Sequence, residues 1–113
     1  MPQHKIKLYL SHIFESINSI QEYVGETKNF NFFNNKKILK SAVEREFTTI
    51  GEAVNRILKA DPNFKLNNTR QIIGLRNKVV HSYDSISYEL LWSIIINDLP
   101  KLKKEVEELL QKE

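Results

Sequence analysis

Apolar residues recur along this chain at intervals of three and four. The first ladder is Ile6, Leu10, Ile13, Ile17, Ile20 and Val24. Steps of that size keep one stripe of a helix facing a core. Gly25 follows at once and suits a helix C-cap. The stretch from Glu26 to Asn35 is polar and Asn-rich but carries Phe30, Phe32 and Phe33. It reads as a loop whose aromatic rings fold back onto the core. A second ladder runs Ile38, Ala42, Val43, Phe47, Ile50, Val54, Ile57 and Leu58, predicting a long amphipathic helix over Asn35 to Lys59. Gly51 sits inside it. A mid-helix glycine costs about 1 kcal/mol relative to alanine, so a close helix–helix approach is expected there.

Asp61-Pro62-Asn63 marks a turn. A short helix is predicted from about Asn68 to His81, carrying Ile72, Ile73, Leu75, Val79 and Val80. Asp84-Ser85-Ile86-Ser87 supplies N-cap candidates for a last helix. That helix holds Leu91, Ile94, Ile95, Leu99, Leu102, Val106 and Leu109, with Pro100 expected to kink or split it. The tail KLKKEVEELLQKE is charged and helical in pattern. The sum is an all-α chain, an antiparallel bundle of four to five helices. There are no internal repeats and no linker-like tract, so residues 1–113 read as a single domain.

Composition narrows the class. A 113-residue chain buries roughly two-thirds of its unfolded surface, enough for one core without a large internal cavity. The absence of cysteine excludes disulfides and thiolate metal sites, and fits a cytoplasmic protein. No apolar run is long enough for a signal peptide or a membrane span. A net charge of +3 permits a polyanionic partner without requiring one.

The residues richest in chemistry lie in RNKVVHSY, Arg76 to Tyr83. Arginine presents a planar fork of donors suited to phosphate oxygens. Histidine is matched to proton transfer near neutral pH. The pair can cleave RNA without a metal: the imidazole takes the proton from a ribose 2′-hydroxyl, and the guanidinium stabilises charge on the attacked phosphate. On one straight helix, Arg76 and His81 point about 140° apart, whereas Arg76 and Tyr83 share a face. Either the helix ends or distorts near His81, or a second chain completes the site. A symmetric dimer would place two copies of the segment around one cleft and supply two histidines. An Arg and a His five residues apart also occur by chance, and His81 could merely cap a helix end while Tyr83 packs with its hydroxyl wet.

The pattern R-N-x-x-x-H-x-Y resembles the signature of HEPN domains, in particular the HepT-like branch. YLSHIFESINSIQEYV resembles that family's first helix and AVEREFTTIGEAVNRI, with Gly51-Glu52-Ala53, its second. IIGLRNKVVHSY resembles the signature helix, and LLWSIIINDLPKLKKEVEEL the closing helices. The resemblance implies a HEPN-like helical homodimer acting as a metal-independent RNA endonuclease, the toxin of a type VII-like toxin–antitoxin pair. Arg76 and His81 match its catalytic pair, and Asn77 the polar residue after the arginine. Tyr83 matches a tyrosine that a minimal nucleotidyltransferase antitoxin (MntA-like) modifies with AMP. That addition would block the RNA cleft by bulk and negative charge. Ser82 stands where glycine is frequent, in a supporting position. Thr69 lies near the place of a tryptophan common before the signature helix. The alternative is a non-catalytic HEPN module that binds a nucleotidyltransferase.

Other residues are weaker candidates. Glu52 could orient Arg76 or His81 from the second helix; a solvated or salt-bridging helix face, shared with Glu44, Arg45 and Glu46, is the favoured reading. His4 and His12, eight residues apart, make a poor ligand set, so neither metal nor cofactor is expected. Trp92 suits a core or dimer interface better than a base-stacking platform. Lys36, Lys37, Lys40 and Arg45 fit an RNA path and ordinary helix solvation equally well.

Overall fold

In the computed structural model of this chain, residues 2–25, 29–67, 69, 73, 74 and 87–112 are described, residues 2–4 by their backbone alone. The first ladder becomes helix α1, Pro2–Val24. Ile6, Leu10, Ile13, Ile17, Ile20 and Val24 are all buried, as the spacing requires. Gly25 closes the helix with φ +72°, and its N–H reaches Gln21 O at 2.9 Å. Only glycine enters that left-handed region without a Cβ penalty.

The stretch expected as a loop contains a short helix instead, α2, Phe30–Asn34. Asn29 starts it: its side-chain oxygen accepts from the Asn31 and Phe32 N–H groups at 2.9 and 3.2 Å. Five residues are too few for a periodic pattern to reveal, so the cap is the legible signal. The expectation that the aromatics fold inward holds for Phe33, which is fully buried, and in part for Phe30; Phe32 stays exposed.

Helix α3, Lys37–Ala60, is the second ladder. Val43, Phe47, Ile50, Gly51, Ala53, Val54 and Ile57 are buried along it. It packs antiparallel to α1: Tyr23 meets Glu46 at 3.3 Å near one end, and Arg56 lies over the Tyr9 ring near the other. Ile38, counted in the ladder, is 87% exposed. Tyr23, at the end of α1, meets α3 two turns past its start, so the first turns of α3 run beyond the partner that would cover them.

Ser87 caps helix α4, Tyr88–Ser93, its hydroxyl accepting from Leu90 N–H at 3.2 Å. Helix α5 covers Leu99–Gln111. Between them Pro100 does not break the rod. Residues Ile94–Asp98 widen into one π-helical turn, and Leu99 N–H bonds to Ile94 O, five residues back. Proline lacks an N–H and its ring clashes with the carbonyl four residues earlier; a widened turn ahead of it relieves that clash while the chain stays helical. Leu91, Ile94, Ile95, Leu99, Leu102 and Val106 remain buried through the junction. Helix α5 runs antiparallel to α1, with Lys103 Nζ donating to Gln21 Oε1 at 3.1 Å and Lys7 Nζ to Lys112 O at 2.5 Å. Among the described residues there is no strand, so the fold is all-α.

Candidate functional site

Arg76, Asn77, His81, Ser82 and Tyr83 lie outside the described residues. The same holds for most of the short helix expected over Asn68 to His81; within it, Ile73 N–H bonds to Thr69 O at 2.9 Å, and Ile73 and Gly74 are helical. The structure therefore defines what flanks the signature segment. Ile73 packs against the core on the N-terminal side. Further upstream, Asn67 N–H donates to Glu105 Oε2 of α5 at 2.8 Å. Thr69, standing near the place of the family's tryptophan, donates its hydroxyl to Leu66 O at 3.2 Å.

On the C-terminal side the anchor is Tyr88, five residues beyond Tyr83. Its hydroxyl donates to Glu44 Oε2 at 2.5 Å, its ring packs edge-on to Phe33, and Lys40 Nζ sits 4.2 Å from its ring centre. The bond to Glu44, partial burial and the Glu44 charge push the Tyr88 phenol up from 10.0 to about 12. Sequence reading missed this contact because Glu44 and Tyr88 are 44 residues apart. Their identities alone carry no pairing signal.

Tyr88→Phe is expected to lower stability by about 1 kcal/mol, a typical figure for a part-buried hydrogen bond to a charged acceptor with some solvent access. Urea unfolding checks it. The raised phenol also fixes a sign. The folded chain keeps this proton at alkaline pH where the unfolded chain releases it. The contribution is thus full below pH 10 and lost as pH rises through about 12. Wild type should lose this part of its stability in that window, and Tyr88→Phe should lack it.

Glu52, the proposed orienting carboxylate, is exposed on α3. With Asn55, Arg56, Leu58 and Lys59 it lines an open depression of about 520 Å³. Carboxylate, amide and two cations thus share one helix face, a mixed surface able to meet a polar substrate. Glu46 accepts from Tyr23, Arg45 is exposed, and Glu44 is engaged by Tyr88. Trp92 is half-buried between Phe30 and Phe33, at ring distances of 6.3 and 5.2 Å. It packs against the core with part of its ring surface left exposed. His12 is exposed beside the Tyr9 ring at 6.2 Å. Among the described residues no group of three or more His, Asp or Glu gathers to hold a metal, and no helix is long and apolar enough to cross a membrane.

Along the chain, α3 precedes the R-N-x-x-x-H-x-Y segment and the rod of α4 and α5 follows it, an order that resembles HEPN domains. Comparison with known proteins makes this specific: residues 13–109 match the family described as Ribonuclease HepT-like, and the chain belongs to it. It is 39% identical over 109 residues to a Methanocaldococcus jannaschii protein named "Putative RNase MJ1380", covering 95% of this chain and 98% of that one. It is 33% identical over 109 residues to "Putative RNase TTE0752" of Caldanaerobacter subterraneus, covering 93% and 94%. It is 34% identical over 108 residues to "Probable ribonuclease HepT" of Thermococcus cleftensis, covering 91% and 94%. No solved structure matches the chain.

Proposed function

We propose that this chain is a metal-independent RNA endonuclease whose chemistry is carried by Arg76 and His81 in a homodimer cleft. The observation that carries the reading is the family match over residues 13–109, which spans the whole Arg76–Tyr83 segment. The names of its relatives support ribonuclease activity.

The chemistry follows from the residue types. The His81 imidazole removes the 2′-hydroxyl proton, and the 2′-oxygen attacks the adjacent phosphorus. The bond from phosphorus to the 5′-oxygen breaks as an imidazolium returns a proton to that oxygen. The products are a 2′,3′-cyclic phosphate and a 5′-hydroxyl. Arg76 stabilises the charge on the phosphoryl oxygens. A second copy of the chain supplies a second His81, so that one imidazole starts as base and the other as acid. Asn77 and Ser82 support the site, and Glu52 orients Arg76 or His81 from α3.

The same reading makes the chain the toxin of a two-component module in the cytoplasm. Its antitoxin is a nucleotidyltransferase that transfers AMP from ATP to the Tyr83 phenol with release of pyrophosphate. Negative charge and bulk then occupy the RNA cleft.

The test is cleavage of RNA by purified chain in EDTA, with end-group analysis. Cyclic phosphate ends are expected, and Arg76→Ala should lower the rate about 10²–10³-fold, the usual effect of removing one charge-stabilising donor. Cleavage that EDTA abolishes would sink the metal-independent reading. AMP found on Tyr83 by mass spectrometry after co-expression with the partner would support the regulatory half; a Tyr83 left unmodified there would sink it.

A further inference from the structure

Three of the five exposed large apolar side chains among the described residues gather on the surface between the end of α1, α2 and the start of α3. An open groove of about 770 Å³ runs there, lined by Tyr23, Phe32, Ile38, Leu39 and Ala42 with Asn35, Lys36 and Lys37. Its apolar side chains are far from buried: Ile38 is 87% exposed, Phe32 44% and Tyr23 41%. The cause lies in the fold, because α3 runs past the end of α1 and leaves its first turns uncovered.

The residues lining the groove include two lysines and no acid, while Glu46, bonded to Tyr23, and Glu44, bonded to Tyr88, border it on the α3 side. From Asn29 to Val43 the chain has three lysines and no acidic residue. Lys36 Nζ sits 5.0 Å from the Phe32 ring centre, so a cation is held at the groove's aromatic wall. Helix α3 carries no acid in its first turn and begins at Lys36 with no side-chain cap. The positive end of the helix dipole therefore adds to the lysine field instead of being offset. Lys40, one turn further, reaches the Tyr88 ring at the flank of the signature segment. The lysine row thus continues from the groove to Tyr88, which follows Tyr83 by five positions in the chain and also meets the Glu44 carboxylate.

We propose that this groove binds a single-stranded stretch of the RNA substrate, with bases against Phe32, Tyr23 and Ile38 and phosphates along Lys36, Lys37 and Lys40. It rests on the reading that the chain acts on RNA, and it adds a subsite away from the cleaved bond. Exposed aromatic faces beside a lysine row are the combination by which proteins hold single strands without reading sequence. A second copy fits less well, because a two-fold contact through this face would set the lysines against their own counterparts.

The test separates binding from cleavage. A fluorescein-labelled 12-nucleotide RNA with every 2′-hydroxyl methylated lacks the attacking nucleophile, so anisotropy reads affinity alone. Wild type should bind it with a salt dependence steep enough to reflect several phosphates. Lys36→Ala/Lys37→Ala is expected to weaken binding at least ten-fold and to flatten the slope of log K against log salt by about one unit, given roughly 0.7 per phosphate on single strands. Phe32→Ala should weaken binding about ten-fold, and Lys36→Arg/Lys37→Arg should restore it. These side chains are exposed, and circular dichroism with a melting curve confirms that each variant is folded.

Wild-type affinity and slope in the alanine variants would overturn the proposal. So would unchanged RNA affinity accompanied by loss of a dimer in sedimentation, which would assign the face to a second copy. Unchanged RNA affinity with loss of a co-expressed nucleotidyltransferase would likewise overturn it in favour of a protein partner. Wild type that binds the methylated RNA but does not cut unmodified RNA would leave the groove standing and remove the nuclease reading.

Discussion

Alanine at His81 is expected to reduce RNA cleavage by about 10²–10⁴-fold, the range for loss of a positioned general acid or base. If the two copies of His81 in a dimer act as base and acid, the loss should sit at the upper end, because one substitution removes both. The same division of labour gives a bell-shaped pH profile of kcat/KM in wild type, since one imidazole must be neutral and the other protonated. Far-ultraviolet circular dichroism should be unchanged, separating loss of chemistry from loss of fold. Affinity for the methylated RNA should be largely retained. Cleavage by His81→Ala at wild-type rate would remove this residue from the mechanism.

The largest effect on stability is expected from Phe47→Ala. Phe47 is fully buried in the middle of α3, within the core that α3 shares with α1. Truncation of a buried phenylalanine costs about 3–5 kcal/mol through lost transfer energy and the cavity left behind. Against a total of about 5–15 kcal/mol for a domain, that is a large fraction. Urea unfolding should show a lower midpoint at an unchanged m-value, and Tm should fall by at least about 10 °C. Ile38→Ala on the same helix should stay within about 0.5 kcal/mol, because that side chain is 87% exposed. Equal losses in the two variants would mean that the buried stripe of α3 is misassigned.

These two α3 residues show how far the sequence could be read. Both belong to one periodic ladder, and periodicity reports which residues share a face. It does not report how far a neighbouring helix extends along that face. Phe47 lies opposite α1 and is buried; Ile38 lies beyond its end and is not. The same distinction accounts for α2, whose five residues are too short to show a period, and for Pro100. Proline announces a disturbance in a helix, but whether the chain bends, breaks or widens depends on whether Ile94, Ile95 and Leu99 can stay in the core. They do, through the π turn.

The candidate site was legible by a different route. Arg76, His81 and Tyr83 stand out by chemical type and order, and the family match bears out the resemblance drawn from them. Their mutual geometry was never in the sequence, since helical spacing alone sends Arg76 and His81 apart. The contacts that flank the segment, Tyr88 with Glu44 and Asn67 with Glu105, pair residues 44 and 38 positions apart. Such pairings arise only from packing.

The rod formed by α4, the π turn and α5 touches the chain on both sides of that segment. Tyr88 stands at one end of it, and Glu105, which holds Asn67, lies 17 residues along, about 25 Å away at a helical rise of 1.5 Å per residue. One continuous helical rod thus carries or holds the chain at a point before the chemistry-bearing segment and at a point after it. Removing the extra residue of the wide turn would restore an ordinary α-helical turn, and so reset both the length of the rod and the angle between its two anchors. A length change near Pro100, which stands 19 positions from His81 in the chain, would then move the two ends of the catalytic segment relative to each other.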